Sequence, residues 1–295
     1  MTWPVRSAIR CSLLIVVCCT TSVVTAGDRS ADGVWARVDS VGSESRKEPG
    51  LLPWIQPRHR QAVRLSAAPL AGILEQAPTE FSGDAEGRQV VLTLPTPDGQ
   101  FESFAVVVSP VMDAKLEAWM ADQGWPMRTY RGVSLDHPAT SVRLDWGGPA
   151  GFHASVVSPR RSYYIDPYWK GDTVLYSSYF RSEYVKEDRD FRCLVESEAR
   201  PGDFWKSGTS TSGNLRTYRL VVAATGEYTA FHGGTKAAGQ AAIVTTVNRV
   251  NQVYENDLSI RMVLVGNNVD VVYTDGLSDP YTHGDGGAML TENQT

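Results

Sequence analysis

Tyr218-Arg219-Leu220-Val221-Val222-Ala223-Ala224 is a nearly continuous apolar run, and the helix and strand that come after it decide how the chain folds. Such a run is the mark of a strand covered on both faces. Residues 226–234 connect it to a helix predicted to begin near Thr235, because Ile243, Val247, Val250 and Tyr254 recur at intervals of four, three and four and so share one side. Asn256-Asp257 close that helix, Ser259-Ile260-Arg261-Met262-Val263-Leu264-Val265 supply a second strand, and Val269-Asp270-Val271-Val272-Tyr273 a further extended piece. Strand, helix and strand in this order imply a right-handed crossover and parallel pairing. Two or three strands and one helix do not close a core, so residues 215–295 are expected to be an incomplete domain.

Working outward, the stretch before this unit is punctuated differently. Residues 197–214, with Pro201-Gly202 and Ser207-Gly208-Thr209-Ser210-Thr211-Ser212-Gly213, have the composition of a flexible linker and mark the expected boundary. Residues 71–196 read as a β-rich domain. A hairpin is predicted from 88–94 and 101–108 around Pro95-Thr96-Pro97-Asp98-Gly99-Gln100, a short helix over 113–120 with Leu116, Trp119 and Met120 on one face, and further strands over 140–146, 151–157 and 162–165. Short strands at this spacing suggest a small sandwich or a curved sheet. The aromatic run Tyr163, Tyr164, Tyr168, Trp169, Tyr176, Tyr179, Phe180 and Tyr184 is either a packed sheet face or a platform for carbohydrate or peptide. Residues 27–70 are polar and patchy, read as a flexible N-terminal segment.

The N-terminus carries an address. Arg6 and Arg10 precede the apolar run 11–19, which is short for a bilayer span, and Val24-Thr25-Ala26 ends in a small-x-small pattern. Residues 1–26 are therefore expected to be a secretory signal peptide and the protein to be exported, with no membrane segment once the signal is removed. Of the four cysteines, Cys11, Cys18 and Cys19 fall in that signal, leaving Cys193 as the single thiol. A lone thiol in an oxidising compartment is buried, reactive or a metal ligand. A chain of 295 residues that is 42% hydrophobic is long enough for one large or two ordinary cores. Its formal charge of -5, with no basic run, gives no footprint for nucleic acid.

Three groups of residues carry a resemblance to a known family. They are Tyr218 to Tyr228 (YRLVVAATGEY), Ile243 to Glu255 (IVTTVNRVNQVYE), and Thr274-Asp275 through Asp279-Pro280-Tyr281 to Gly286-Gly287-Ala288-Met289-Leu290. This pattern resembles the opening of the catalytic domain of bacterial reprolysin-like zinc metallopeptidases, in the metzincin group. Ser109-Pro110-Val111-Met112, Gly151-Phe152-His153-Ala154 and Tyr164-Ile165-Asp166-Pro167 are similar to the N-terminal region of such precursors, so the resemblance spans about 88–295. It implies a mixed, α+β fold: a β-rich N-terminal prodomain followed by the truncated start of an α/β metzincin catalytic domain. It also implies a secreted zinc-dependent endopeptidase precursor acting on protein or peptide substrates. A non-catalytic secreted β-rich module, binding or inhibitory, is the alternative.

Metzincins hold zinc through H-E-x-x-H-x-x-G-x-x-H, whose helical i, i+4 spacing sets two imidazoles on one face while the Glu serves as general base. That motif is absent here, where His59, His137, His153, His232 and His283 lie far apart and each reads as a surface or turn histidine. No catalytic residue is therefore assigned, and the chain as it stands is not expected to hydrolyse peptides. In related precursors a prodomain cysteine can coordinate the zinc as thiolate, which makes Cys193 a candidate cysteine-switch ligand; a buried structural cysteine is the other reading. Glu227, just past the first strand, is where related enzymes can supply a Ca2+-binding carboxylate, although Arg219 stands at the strand position usually held by an acid. His283-Gly284-Asp285-Gly286-Gly287 is more simply a Gly-rich loop than a cation chelate, and neither a phosphate loop nor a G-x-S-x-G elbow is found.

Overall fold

Alternating Val, Leu and Phe residues build the larger part of the molecule, one antiparallel sheet of nine strands. The computed structural model describes residues 28–41, 53–83, 87–184 and 214–294. The sheet contains β1 (Trp35–Val38), β2 (Gln61–Leu65), β3 (Val90–Pro95), β4 (Phe101–Val108), β5 (Arg128–Ser134), β6 (Ser141–Gly148), β7 (Gly151–Val157), β8 (Tyr163–Pro167) and β9 (Leu175–Phe180). Their order is β1-β2-β9-β8-β7-β6-β5-β4-β3. Helices α1 (Ala67–Leu74) and α2 (Ala114–Asp122) interrupt the strands.

The sheet curls until its ends meet. Asp32 Oδ2 accepts from Thr93 N at 2.7 Å, Arg37 donates to Gly99 O at 2.9 Å, and Ser178 Oγ donates to Pro95 O at 2.8 Å. Period-two side chains therefore sort into an inner and an outer face. The inner face is apolar: Val142 and Leu144 from β6, Phe152 and Ala154 from β7, and Ile165 from β8 pack with Leu70 and Leu74 of α1. Trp35 and Phe152 meet edge to face at 5.3 Å, and the Tyr176 hydroxyl accepts from Phe152 N at 3.0 Å. The β6–β7 turn carries a bulge between Asp145 and Gly148, and Gly147 holds φ 95° there with no room for a Cβ beside Pro126 O.

The predicted hairpin is present as β3 and β4, paired from Val90↔Val106 to Pro95↔Phe101, and the predicted helix as α2, capped by Asp113, whose carboxylate accepts from Lys115 N. Strands β6, β7 and β8 lie where expected. The segment read as flexible over 27–70 instead supplies β1 and β2, because Trp35, Val63 and Leu65 are needed to close the inner core. The aromatic run is mostly a packed face, with Tyr163, Trp169, Tyr176, Tyr179 and Phe180 buried.

After residue 213 come β10 (Arg216–Leu220), α3 (Gly226–Phe231), α4 (Lys236–Leu258), β11 (Ile260–Leu264) and α5 (Gly286–Glu292). β10 and β11 pair in parallel, as predicted, from Arg216↔Ile260 to Leu220↔Leu264. Three expectations are corrected. The run over residues 218–224 is not covered on both faces: Tyr218 in β10 is 50% exposed and Val221 just after it 57%, because only β11 pairs with β10 among the described residues. The connection 226–234 contains α3, which Thr225 starts by accepting from Tyr228 N. Asn268–Val271 is a 3-10 turn rather than a strand; beyond it Val272 forms a parallel bridge to Ala224.

The small unit completes its core against the larger one. Val111–Asp113 lie along the second edge of β11, with Leu264 N donating to Val111 O at 2.9 Å and Asp113 N to Leu264 O at 2.8 Å. Val111, Met112, Leu116, Met120 and Met127 then pack with Ala241, Val244, Val247, Leu264 and Val272. The two units thus share one core across the linker read from the sequence, of which residues 197–213 lie outside the described residues.

Candidate functional site

The outer face of the curled sheet is polar, and α4 lies on it. Thr235 caps the helix by accepting from Ala238 N at 3.1 Å, and Ser259 ends it in the left-handed region at φ 54°. Its buried side is not the apolar stripe predicted from Ile243, Val247, Val250 and Tyr254. Ile243 and Val247 are buried, but Val250 is half-buried and Tyr254 39% exposed, while Gln240, Asn248, Asn251 and Gln252 are buried. One side of α4 therefore joins the shared core, and the other presents amides and charges to the sheet.

Arg143, in the middle of β6 and 2% exposed, organises that contact. Its guanidinium donates to Asn248 Oδ1 at 2.9 Å, to Ser109 Oγ at 3.1 Å, and to the Glu255 carboxylate. Asn248 returns a bond to Leu144 O at 3.0 Å, and Gln252 donates to Ser141 O at 3.0 Å, so α4 reads the backbone of β6 directly. One turn nearer the helix start, Asp145 accepts from Thr245 Oγ1 at 3.0 Å and bonds His153 at 3.1 Å. On β8, Asp166 pairs with Arg249 and accepts from Tyr179 at 2.7 Å. Beyond Glu255 the charges continue through Arg261 to Glu80 and on to Arg131, 3.1 Å away.

These charges alternate in sign, which lets them share burial. Burial alone would raise the Glu255 pKa, but hydrogen bonds from Arg261 and Arg143 outweigh it and hold the carboxyl below its usual value. Burial pulls Arg143 down against the pull of Glu255. A second contact joins α3 to the β8–β9 loop: Lys170 donates to Phe231 O and stands 3.5 Å over the Phe231 ring. Beside it, burial, then Lys170, then His153 lower the pKa of His232.

The sequence-derived candidates fall elsewhere. Cys193 lies outside the described residues. Glu227 is in the first turn of α3, its Oε2 3.6 Å from His283 Nδ1 and without a hydrogen-bond partner among the described residues. Nearby, Asp279 Oδ2 accepts from Gly226 N at 2.7 Å. Among the described residues no three His, Cys, Asp or Glu side chains gather to hold a metal. Of the histidines read as surface or turn residues, His153 departs from the reading: it is 3% exposed, under α4.

Residues 214–295 match the family described as metallo-peptidase family M12B, reprolysin-like. This segment is reprolysin-like. No curated protein matches the chain. The reprolysin-like segment runs from β10 to the end of the chain and so contributes Thr245, Asn248, Arg249, Gln252, Glu255 and Arg261 to the contact, whereas Glu80, Arg131, Arg143, Asp145 and Asp166 come from the sheet or the loops beside it. The family consists of zinc metallopeptidases acting on proteins or peptides. The residues present do not fit the family's zinc: the sequence has no H-E-x-x-H, and no three ligand-type side chains converge among the described residues. What the geometry does provide is a scaffold contact: the sheet holds the reprolysin-like helix by its polar side. Sequence reading missed Arg143, Asn248, Gln252 and Glu255. The available signal was a helical polar stripe at intervals of four and three, opposite a strand, Val142-Arg143-Leu144-Asp145, that alternates apolar and charged.

Proposed function

We propose that the chain is the precursor portion of a secreted zinc-dependent metalloendopeptidase, with the β-rich region 71–196 acting as a propeptide on the reprolysin-like segment. The observation that carries this reading is the polar contact between α4 and the outer face of the sheet. On this side of α4 the joint is built of amides and carboxylates, which can return to water when two surfaces part, while the other side of α4 shares an apolar core with the sheet unit. The contact is also incompletely satisfied, since Arg249 Nε, Gln252 Oε1 and Ser177 Oγ are buried without a hydrogen-bond partner among the described residues. Each such group costs roughly 1–3 kcal/mol, which favours separation.

Residues 1–26 support export, and Cys193, which precedes the reprolysin-like segment in the sequence, is the proposed switch ligand. The test is to express the full reading frame that contains this sequence and assay it for peptide hydrolysis. Activity that appears on cleavage within 185–213 or on alkylation of Cys193, and disappears with a zinc chelator, is expected. A product that stays inert with zinc supplied and the sheet region removed would overturn the proposal.

A further inference from the structure

Among the described residues, the reprolysin-like segment leaves one end of the curled sheet untouched. There the β3–β4, β5–β6 and β7–β8 connections surround a cavity of about 600 Å³, none of whose lining residues lies beyond Phe180. Pro97, Pro138 and Pro159 give it apolar walls together with the rings of Tyr163 and Phe180. The side chain of Glu102, 14% exposed, also faces it. Its Oε1 accepts from Ser134 Oγ at 2.5 Å and bonds His137 Nδ1 at 3.2 Å. Among the described residues its Oε2 has only the Tyr163 hydroxyl at 3.4 Å, long for an O–H···O bond, and so keeps acceptor capacity.

The charges around the opening are sorted by loop. Asp98 and Asp136 come from the first two connections, Arg160 and Arg161 from the third. Arg161 lies 3.4 Å from the Phe180 ring centroid and 3.4 Å from Glu183, while Arg160 is exposed and in no ion pair among the described residues. A mostly apolar cavity of this size with a few convergent polar groups, in the mouth of a barrel-like sheet, is the usual form of a small-ligand site.

We propose that this mouth binds a short peptide with free termini, its ammonium at Glu102 and the acidic loops, its carboxylate at Arg160 and Arg161, and an apolar side chain against the prolines and Phe180. An amine alone would face the two arginines, and a carboxylate alone would face three acids. Only a ligand carrying both charges meets each loop with the opposite sign. The site is independent of the peptidase reading, and its test requires no catalysis.

The test is calorimetric titration of the full chain with leucyl-phenylalanine, its N-acetyl form and its C-terminal amide. Saturable one-to-one binding of the free dipeptide is expected, with each blocked form weaker by about tenfold, the loss of one charge-assisted hydrogen bond. Arg160→Glu, at an exposed position, should leave the melting temperature unchanged, weaken the free dipeptide about tenfold and erase the penalty for amidation. Absence of saturable binding, equal affinity for all three forms, or full affinity in Arg160→Glu would overturn the proposal.

Discussion

One guanidinium, that of Arg143, links side chains from both parts of this protein. Arg143 is enclosed by Asn248, Ser109 and Glu255, and removing it leaves buried acceptors without their donor. Arg143→Ala is expected to cost about 3–5 kcal/mol in a urea unfolding series, the range for breaking one side of a buried ionic network. Two groups nearby set the pH dependence. Glu255 titrates below its ordinary 4.5 in the folded chain, so its contribution is complete above that value and is lost as pH falls through the folded value. His232 is likewise lowered from 6.5: the folded chain resists its protonation, so stability is complete above 6.5 and declines as pH falls toward the folded value. Urea midpoints measured as a function of pH should show both declines. Glu255→Gln should remove only the lower one and His232→Gln only the upper one.

At the scale of elements, α4 needs its cap and its close neighbours. Thr235→Ala removes the acceptor for Ala238 N and should cost about 1 kcal/mol by thermal unfolding. Gly226→Ala is expected to be worse, because a Cβ there would lie 2.0 Å from Gly276 N, backbone that cannot swing aside. Soluble yield and melting temperature should both fall below those of Thr235→Ala.

The same scale shows what could be read from residues alone. The β3–β4 hairpin was legible because Val90 to Leu94 and Phe104 to Val108 are dense in β-forming residues around an Asp98-Gly99 turn, with Gly99 at φ 76°. β5 and β9 were not, since Arg128-Thr129-Tyr130-Arg131-Gly132 and Tyr176-Ser177-Ser178-Tyr179 lack the apolar alternation that marks a strand, and only the sheet's outer polar face explains them. The run Leu220–Ala224 misled for the opposite reason. Its apolar residues continue past β10 into a connection that bridges Val272, so hydrophobicity there reports local packing rather than a doubly covered strand. The contact site was illegible because hydrophobic periodicity cannot register a helix face built of Asn248, Gln252 and Glu255.

For the whole molecule, a nine-stranded curled sheet and a reprolysin-like strand-helix-strand unit share a core on one side of α4 and a polar contact on the other. The larger unit gives the described part of the smaller one an apolar surface, Val111, Met112, Leu116, Met120 and Met127, and a backbone edge along β11. This arrangement packs the sheet directly on the reprolysin-like segment, and coupling between them is the decisive quantity. A double-mutant cycle between Arg143→Met and Asn248→Ala, measured by urea unfolding of the full chain, tests it most directly. Coupling of about 0.5–3 kcal/mol is expected for two side chains in one buried network; additive effects of the two substitutions would contradict the account.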